Sequence, residues 1–414
     1  MNLDTDSYKI QNPASAMPSL SALDDLQRVA SQSLRKNIVQ LKSGSYLAAG
    51  QNQFLSLWTR DFCHSVPGLL RLDEERVAYH HLNTLLSHVR KEDGLVPRVL
   101  DNHRVQVRVL WQALRHKIFL LPAFKLDDPL KPQYMDEHGS LAIDSNLLLL
   151  KAALHLRRHG SDPHWWESQE PQLKKVFAWY EGQFDRGLIR QGAFSDWQDS
   201  ARRQGFCFFT QLLYFEVAKE LEALGWVLPV DLEVYQKNIF EQFFDAKAGL
   251  FLSHLGSNLI SLDGQLLALE SPHFLTPSQK ESLWQSLKTH SLAKLSEGCL
   301  GRCSFPNYPA KDLAFHIRLA GFKPYHGSMA WSWLMAWALK VALQMRDLAQ
   351  IEQQLHLLQK LLLRDNEVYE VYDTEKAYEP FRSWAMTSEH PFAWGSAYLV
   401  EALGALQDFT KKAD

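Results

Sequence analysis

Two acidic residues far apart in the chain, Asp199 and Glu370, each lie in an aromatic segment. These segments are Phe194-Ser195-Asp196-Trp197-Gln198-Asp199-Ser200 and Tyr369-Glu370-Val371-Tyr372-Asp373. Hydrolysis of a glycosidic bond needs two carboxyl groups facing each other across a sugar ring, and the C–H faces of sugars pack on aromatic rings. Residue type and setting therefore point to sugar chemistry. Each segment also has a plainer reading. Asp196 and Asp199 precede a helical run from Phe206, and a carboxylate is favoured at a helix start by the orphan N–H groups there. Glu367 to Glu379 would read as a solvated acidic loop, but Tyr369, Tyr372, Tyr378, Phe381 and Trp384 accompany it, and solvated loops seldom carry so many aromatics. In the first segment the acid could be Asp196 or Asp199.

Other segments could hold a sugar. In Trp58-Thr59-Arg60-Asp61-Phe62 an Arg–Asp pair sits between aromatics. It could fork onto vicinal hydroxyls or form a buried salt bridge. Tyr325-His326-Gly327-Ser328, followed by Trp331 and Trp333, suggests a stacking wall at a helix start, while Trp337 reads as core. Ile143-Asp144-Ser145-Asn146 reads first as a helix cap and second as a ligand contact. The chain has no Gly-rich phosphate loop, nucleophile elbow or His-x-x-x-His zinc pair, which removes kinases, ATPases, serine hydrolases and common zinc hydrolases.

These segments need a large scaffold, and 414 residues with 46% hydrophobic content supply one. The formal charge of −3 offers no broad basic face for nucleic acid. Cys63, Cys207, Cys299 and Cys303 are too few for a disulfide framework. Cys299 and Cys303 lack a second metal-binding pair and read as free core thiols. Residues 1–19 are polar with no signal pattern, and the longest apolar run, Ser328 to Leu339, is too short to cross a bilayer. A reduced, soluble, cytoplasmic protein is expected, with no membrane partner. Nothing in the chain speaks to its oligomeric state.

Helix signals dominate. Ser21 precedes apolar positions Leu23, Leu26, Ala30, Leu34, Ile38 and Leu41 at helical spacing. A second helix is predicted from near Pro67 to before Gly94, a third over Ser145 to Arg158, and a fourth over Phe206 to Leu224. Thr276-Pro277-Ser278-Gln279 is a capping box that opens another. Gly327 to Met345, Leu348 to Leu363 and His390 to Leu406 complete the set. Short strands are predicted at Val105 to Val109 and Leu250 to Leu255. A toroid of paired helices fits this pattern, as would a solenoid or another large helical fold.

The ordered segments resemble the (α/α)6-barrel glycoside hydrolases, in particular alkaline/neutral invertases and the glucosidase domain of glycogen-debranching enzymes. Trp58-Thr59-Arg60-Asp61-Phe62 resembles their early Arg-Asp-Phe segment, Gly94-Leu95-Val96-Pro97 their Gly-(Leu/Met)-Ile-Pro loop, and Ile143-Asp144-Ser145 their Val-Asp-(Ser/Ala). Trp197-Gln198-Asp199 resembles Trp-Met-Asp, whose Asp is the general acid. Gln211-Leu212-Leu213-Tyr214 falls on a similar helix, and Asp263-Gly264-Gln265 resembles an Asn-Gln segment. Tyr325-His326-Gly327 resembles Tyr-His-Asn-Gly, and Glu370-Val371-Tyr372-Asp373 resembles Glu-Tyr-Tyr-Asp, whose Glu is the general base. The resemblance runs over roughly residues 50 to 405. It departs where hydroxyls would be read. The Asn before Gly327 is missing, Gly205-Phe206-Cys207-Phe208 replaces the invertase Gly-Tyr-Pro-Ile-Glu, and Asp263 or Gly264 stands for the usual Asn. Sucrose or glycogen is therefore not implied.

The resemblance implies an all-α (α/α)6 toroid, a flexible arm over 1–19 and a single catalytic domain over 20–414. Its active site would lie in the loops at one end of the barrel. It implies inverting hydrolysis of an α-glucosidic or similar bond in a small sugar or oligosaccharide. Asp199, kept protonated by partial burial against Trp197, would be the acid. Glu370, ionised, would activate water, with the two carboxyls about 6.5–9.5 Å apart. Trp58, Arg60, Asp61, Asp144, Trp197, Gln265, His326 and Trp331 would hold the sugar, and no metal or organic cofactor is needed. Two alternatives stay open. One is a sugar epimerase or isomerase on the same toroid, working through histidines such as His64, His254, His316 or His326. The other is a non-catalytic carbohydrate-binding protein.

Overall fold

The computed structural model describes residues 20–115, 121–122, 124–293, 298–322, 324–384 and 386–411. The arm expected over 1–19 lies outside them. The helices in chain order are α1 (Leu20–Lys36), α2 (Thr59–Arg71), α3 (Glu75–Ser87), α4 (Val105–Arg115), α5 (Ser145–His159), α6 (Trp165–Ala178) and α7 (Phe208–Ala223). They continue as α8 (Leu232–Phe243), α9 (Leu262–Glu270), α10 (Pro277–Thr289), α11 (Phe315–Leu319), α12 (Ser332–Gln344), α13 (Leu348–Asp365) and α14 (Ala393–Lys411).

Six of these helices close a ring: α2 packs on α5, α5 on α7, α7 on α9, α9 on α12, α12 on α14, and α14 back on α2. Each has an outer partner, in the pairs α2–α3, α5–α6, α7–α8, α9–α10, α12–α13 and α14–α1. The fold is an all-α (α/α)6 toroid. Composition explains which helix goes where. An inner helix meets protein on every side and must be apolar around its circumference; an outer helix needs one apolar stripe. Eight of the nine residues of α9 and eleven of the thirteen of α12 are buried, against four of twelve in α8 and three of thirteen in α10.

Several outer helices are capped by side chains. Asp231 accepts from the N–H groups of Glu233 and Val234, Asp347 from that of Gln350, and the predicted Thr276–Gln279 capping box is present. The inner helices begin differently. Short strands run straight into three of them, so that Trp58, Ser261 and Trp331 end strands and begin α2, α9 and α12 without a side-chain cap. Because each hairpin returns the chain, these junctions gather at one end of the ring.

Some predicted elements change. The helix expected from Pro67 to before Gly94 is two helices, and Pro67 lies inside the first. The chain reverses at Asp73, whose φ is 62°. Ile38 and Leu41 leave the first helix for a strand over Ile38–Leu41. Val105 to Val109 is helix, not strand. Its alternating valines mimic a strand, but Val105, Arg108 and Gln112 form the buried helical face. Over the second expected strand, Leu250–Phe251 pairs with Phe244–Asp245, and His254 forms an isolated bridge with Cys207.

Ring closure requires close approach between inner helices. A Cβ on Gly68 of α2 would lie 2.7 Å from Cα of Ala397 on α14, and one on Gly264 of α9 would lie 2.5 Å from the Phe208 ring on α7. At Gly68 the obstruction is backbone, so no side-chain rotation relieves it. Gly68→Ala should therefore lower stability by about 1–3 kcal/mol through overpacking. Gly182→Ala, where a Cβ meets nothing within 4 Å, should not. Thermal and urea unfolding of the two variants would check this, and equal midpoints would contradict it.

Candidate active site

At the end where the strand–helix junctions gather lies a cavity of about 570 Å3. Asp199 and Glu370 both line it, as do Trp58, Arg60, Asp61, Trp197 and Trp331. The junctions explain the convergence. Trp58, Arg60 and Asp61 stand at the start of α2, and Trp331 at the start of α12. Glu370 precedes the strand Val371–Asp373, which pairs with Ala330–Trp331. Its carbonyl accepts from the Ser332 N–H at 3.0 Å.

Asp199 comes from the loop between α6 and α7. Its carboxylate accepts from Arg98 Nη2 at 2.9 Å and Arg60 Nη1 at 3.2 Å, and its side chain keeps 27% of its exposure. Burial would raise its pKa, but the guanidiniums of Arg98 and Arg60 outweigh burial and hold it below the usual Asp value. The protonated Asp199 expected from burial against Trp197 is therefore corrected: the two guanidiniums favour its ionised form. Trp197 itself is anchored by its indole N–H, which donates to Asp263 at 2.6 Å.

The neighbouring Asp196 faces away from this chemistry. It is 1% exposed and accepts from Arg203 Nε at 2.7 Å, while the same guanidinium reaches Asp263 at 2.9 Å. Asp196 does not line the cavity. Of the two aspartates, only Asp199 can meet a ligand there.

Glu370 is 5% exposed and accepts a hydrogen bond from the Tyr325 hydroxyl at 2.8 Å. Burial drives its pKa well above the usual range, against the Tyr325 hydrogen bond, and Glu389 and Asp61 push it the same way. Asp61 is raised to about 7 by burial, with Arg60 opposing. Glu389 is also raised to about 7 by burial, although the N–H groups of Asn52, Gln53 and Phe54 donate to it at 2.7–2.9 Å. The floor thus holds an ionised Asp199 beside carboxyls that burial makes reluctant to ionise.

Three expected sugar contacts lie behind the wall instead. Asp144 is fully buried at the start of α5 and accepts a two-pronged fork from Arg60 at 2.8 and 3.1 Å. It positions Arg60 and does not line the cavity. Gln265 is fully buried in α9 and bonds both the N–H and the carbonyl of Phe251 at 3.0 and 2.8 Å, a role within the fold. His326 is 1% exposed, stacks on Trp331 with ring centres 5.2 Å apart, and meets Ser200 Oγ at 2.5 Å through Nδ1. Burial lowers its pKa to about 3, so it stays neutral and supports Trp331 and Ser200.

The sequence reading missed Arg98 and gave Tyr325 only a stacking role. Arg98 follows the Gly94-Leu95-Val96-Pro97 loop, and its guanidinium lies 5.1 Å from the Trp58 ring centre. A larger groove of about 780 Å3 elsewhere is lined by Arg190, Arg202 and His254 but holds neither Asp199 nor Glu370. Among the described residues, Glu137, His138 and His316 have potential metal-ligand atoms within 4.8 Å of one another, and all three are exposed.

No protein-family model matches the chain, and no curated protein matches it. Solved structures resemble it in fold. It is similar to a rhamnosidase from Klebsiella oxytoca with rhamnose bound, with a TM-score of 0.61 and 15% identity over 94% of this chain. This chain spans 65% of that rhamnosidase's length. It is also similar to a GH63 mannosylglycerate hydrolase from Thermus thermophilus in complex with Tris and D-glycerate, with a TM-score of 0.60, 13% identity and coverage of 91% and 99% of the two chains. A variant glycosidase in complex with glucose matches with a TM-score of 0.60, 14% identity and coverage of 94% and 100%. At this identity the likeness concerns the fold, and the six-hairpin toroid is the architecture they share with this chain.

Proposed function

We propose that the protein is an inverting glycoside hydrolase in which Asp199 and Glu370 form the acid–base pair. One observation carries the reading: two carboxyls distant in sequence line one aromatic-walled cavity, and their surroundings favour opposite protonation states, as acid–base pairs require. The fold-level likeness to a rhamnosidase, a mannosylglycerate hydrolase and a glucose-binding glycosidase supports sugar as the substrate class. The histidine-based isomerase fits less well. His64 and His326 are buried outside the cavity, His254 lines the separate groove, and only His316 of the four lines the cavity, at its mouth.

Exposure assigns the roles. A leaving group departs through the mouth, so the donor is the more exposed carboxyl, Asp199; Glu370 lies deeper and activates water. Asp199 must then gain a proton in the complex. The Arg60 and Arg98 N–H groups that keep it ionised are also donors for sugar hydroxyls, and a substrate that engages them loosens the clasp. A second reading exchanges the roles. It is favoured by the directions of the two shifts, since burial raises the Glu370 pKa and the two guanidiniums lower that of Asp199.

Asp199→Asn and Glu370→Gln should each reduce kcat by at least about two orders of magnitude, the usual contribution of general acid–base catalysis. A glycosyl fluoride, whose leaving group needs little protonation, should restore turnover in Asp199→Asn and not in Glu370→Gln. Rescue of Glu370→Gln alone would exchange the roles, and full activity of both variants would remove the pair. NMR detection of the first anomer released tests inversion.

The pH dependence separates the readings by sign. A base acts when ionised, so with Glu370 as base kcat/KM should rise with pH through its raised pKa, giving an acid limb above the ordinary carboxylate range. With Glu370 as acid, kcat/KM should fall through the same pKa. Measuring the profile in Asp61→Asn and in Glu389→Gln removes the two other carboxyls, both near 7, that could produce such a limb.

A further inference from the structure

Helix α4 is built inside out. Its buried side holds Arg108, fully buried, and Gln112, 2% exposed. Its outer side presents Val107, Leu110 and Leu114 at helical spacing, with exposures of 49%, 63% and 44%. Arg108 is fixed inward by a two-pronged fork onto Asp101 at 2.7 and 2.8 Å, and Gln112 donates to the Asn52 carbonyl at 2.9 Å. The short α11 also presents apolar side chains to solvent across the mouth, although its own buried residue is apolar. Ile317 is 6% exposed, while Phe315 and Leu319 are 67% and 60% exposed. Trp384, 61% exposed, donates its indole N–H to the Leu319 carbonyl at 2.9 Å. Neither α4 nor α11 belongs to the six hairpins that close the ring.

These surfaces are continuous with the charged floor, because Leu110, Leu114, Leu319 and Trp384 line the same cavity as Asp199 and Glu370. The ordinary order is therefore reversed, with charge in the depths and apolar side chains in water. Exposed apolar surface gathered beside a cleft marks a binding site. Gln106, Glu137 and His316 are the polar side chains lining this outer part among the described residues. A second sugar placed there would press hydroxyls against leucines, and unpaired polar groups are costly to bury.

We infer that the mouth is an aglycone site for an apolar alkyl or aryl group, so that the substrate is a glycoside with a sugar at one end and a hydrophobe at the other. The inference rests on the hydrolase reading and deepens it. A membrane surface or a second copy of the chain could cover the same leucines, but neither would account for their continuity with the charged floor. The formal charge of −3 adds no attraction to an anionic surface.

The test uses octyl and methyl 1-thioglycosides of glucose, mannose and rhamnose, whose sulfur linkage resists hydrolysis, measured by calorimetry. For a given sugar, the octyl compound should bind at least about tenfold more tightly than the methyl compound, since each buried methylene is worth roughly fourfold. The variant Leu110→Ser/Leu319→Ser should lower that ratio at least about fivefold. Equal affinities, no binding of any thioglycoside, or a ratio indifferent to the variant would overturn the inference. It would also be overturned if these substitutions abolished co-sedimentation with phosphatidylcholine vesicles, or dissociated a dimer, while leaving the ratio intact. The two readings fail separately. Absence of turnover on any glycoside strikes the hydrolase; absence of an octyl preference strikes the aglycone site, whether or not turnover is found.

Discussion

The fork from Arg60 is the contact on which the site depends. Arg60 begins inner helix α2, binds Asp144 at the start of inner helix α5 through Nε and Nη2, and turns Nη1 onto Asp199 in the loop before α7. One guanidinium thus couples two neighbouring staves of the ring to the loop that carries a proposed reacting group. Asp144 is fully buried and Arg60 is 6% exposed, so neither charge can be left without its partner. Removing one member of such a pair strands the other in low dielectric, which is costly by several kcal/mol. The geometry of Asp199 is therefore set by the requirement that a buried cation be neutralised.

The same requirement distributes protons over the floor. Arg60 and Arg98 are two cations facing four carboxyls: Asp144, Asp199, Asp61 and Glu370. Asp144 takes the fork, and Asp199 takes one N–H from each arginine. Burial raises Asp144 despite the fork, and it raises Asp61 and Glu370, which have no guanidinium contact of that kind. Protonation is thus a property of the cluster, and changing one arginine would move protons on carboxyls it does not touch. A second cluster stands behind the first. Arg203 spans Asp196 and Asp263, and Asp263 also receives the Trp197 indole N–H. It pins the loop on either side of Trp197 and leaves Asp199, two residues on, free to face the cavity.

Much of this was legible in the sequence, for identifiable reasons. The inner and outer helices left strong apolar runs and caps, and the Thr276 capping box is formed as read. Trp58, Arg60, Asp61 and Trp331 reach the cavity because they sit at or next to the starts of elements, whereas Trp197 reaches it from the loop before α7. Asp144, Gln265 and His326 lie in similar places but one layer deeper. Sequence gives the junction but not which way a side chain turns there, and a buried hydrogen-bond partner such as Phe251 or Ser200 leaves no local mark. Asp196 and Asp199 are alike as letters; the inward turn of the nearby Arg203 onto Asp196, which the sequence does not show, separates them. Arg98 went unseen because the signal in its segment was the Gly94 and Pro97 loop, and its partners are far off in the chain.

Helix α4 shows why its misreading and its proposed role share a cause. Valines alternating with polar residues over Val105 to Val109 read as strand because apolar residues are assumed to face inward. Here the buried partner is Asp101, fully enclosed in a strand beside the mouth, and a buried carboxylate calls for a cation. Arg108 answers it, fixes the rotation of the helix, and thereby turns Leu110 and Leu114 outward. Burying those leucines instead would expose Arg108 and strand Asp101 in the interior, which costs more than two solvated leucines. The apolar mouth is thus held open by a salt bridge beneath it. A ligand that covers the mouth gains that apolar area without any rotation of α4, so the rim is preorganised for a hydrophobic group.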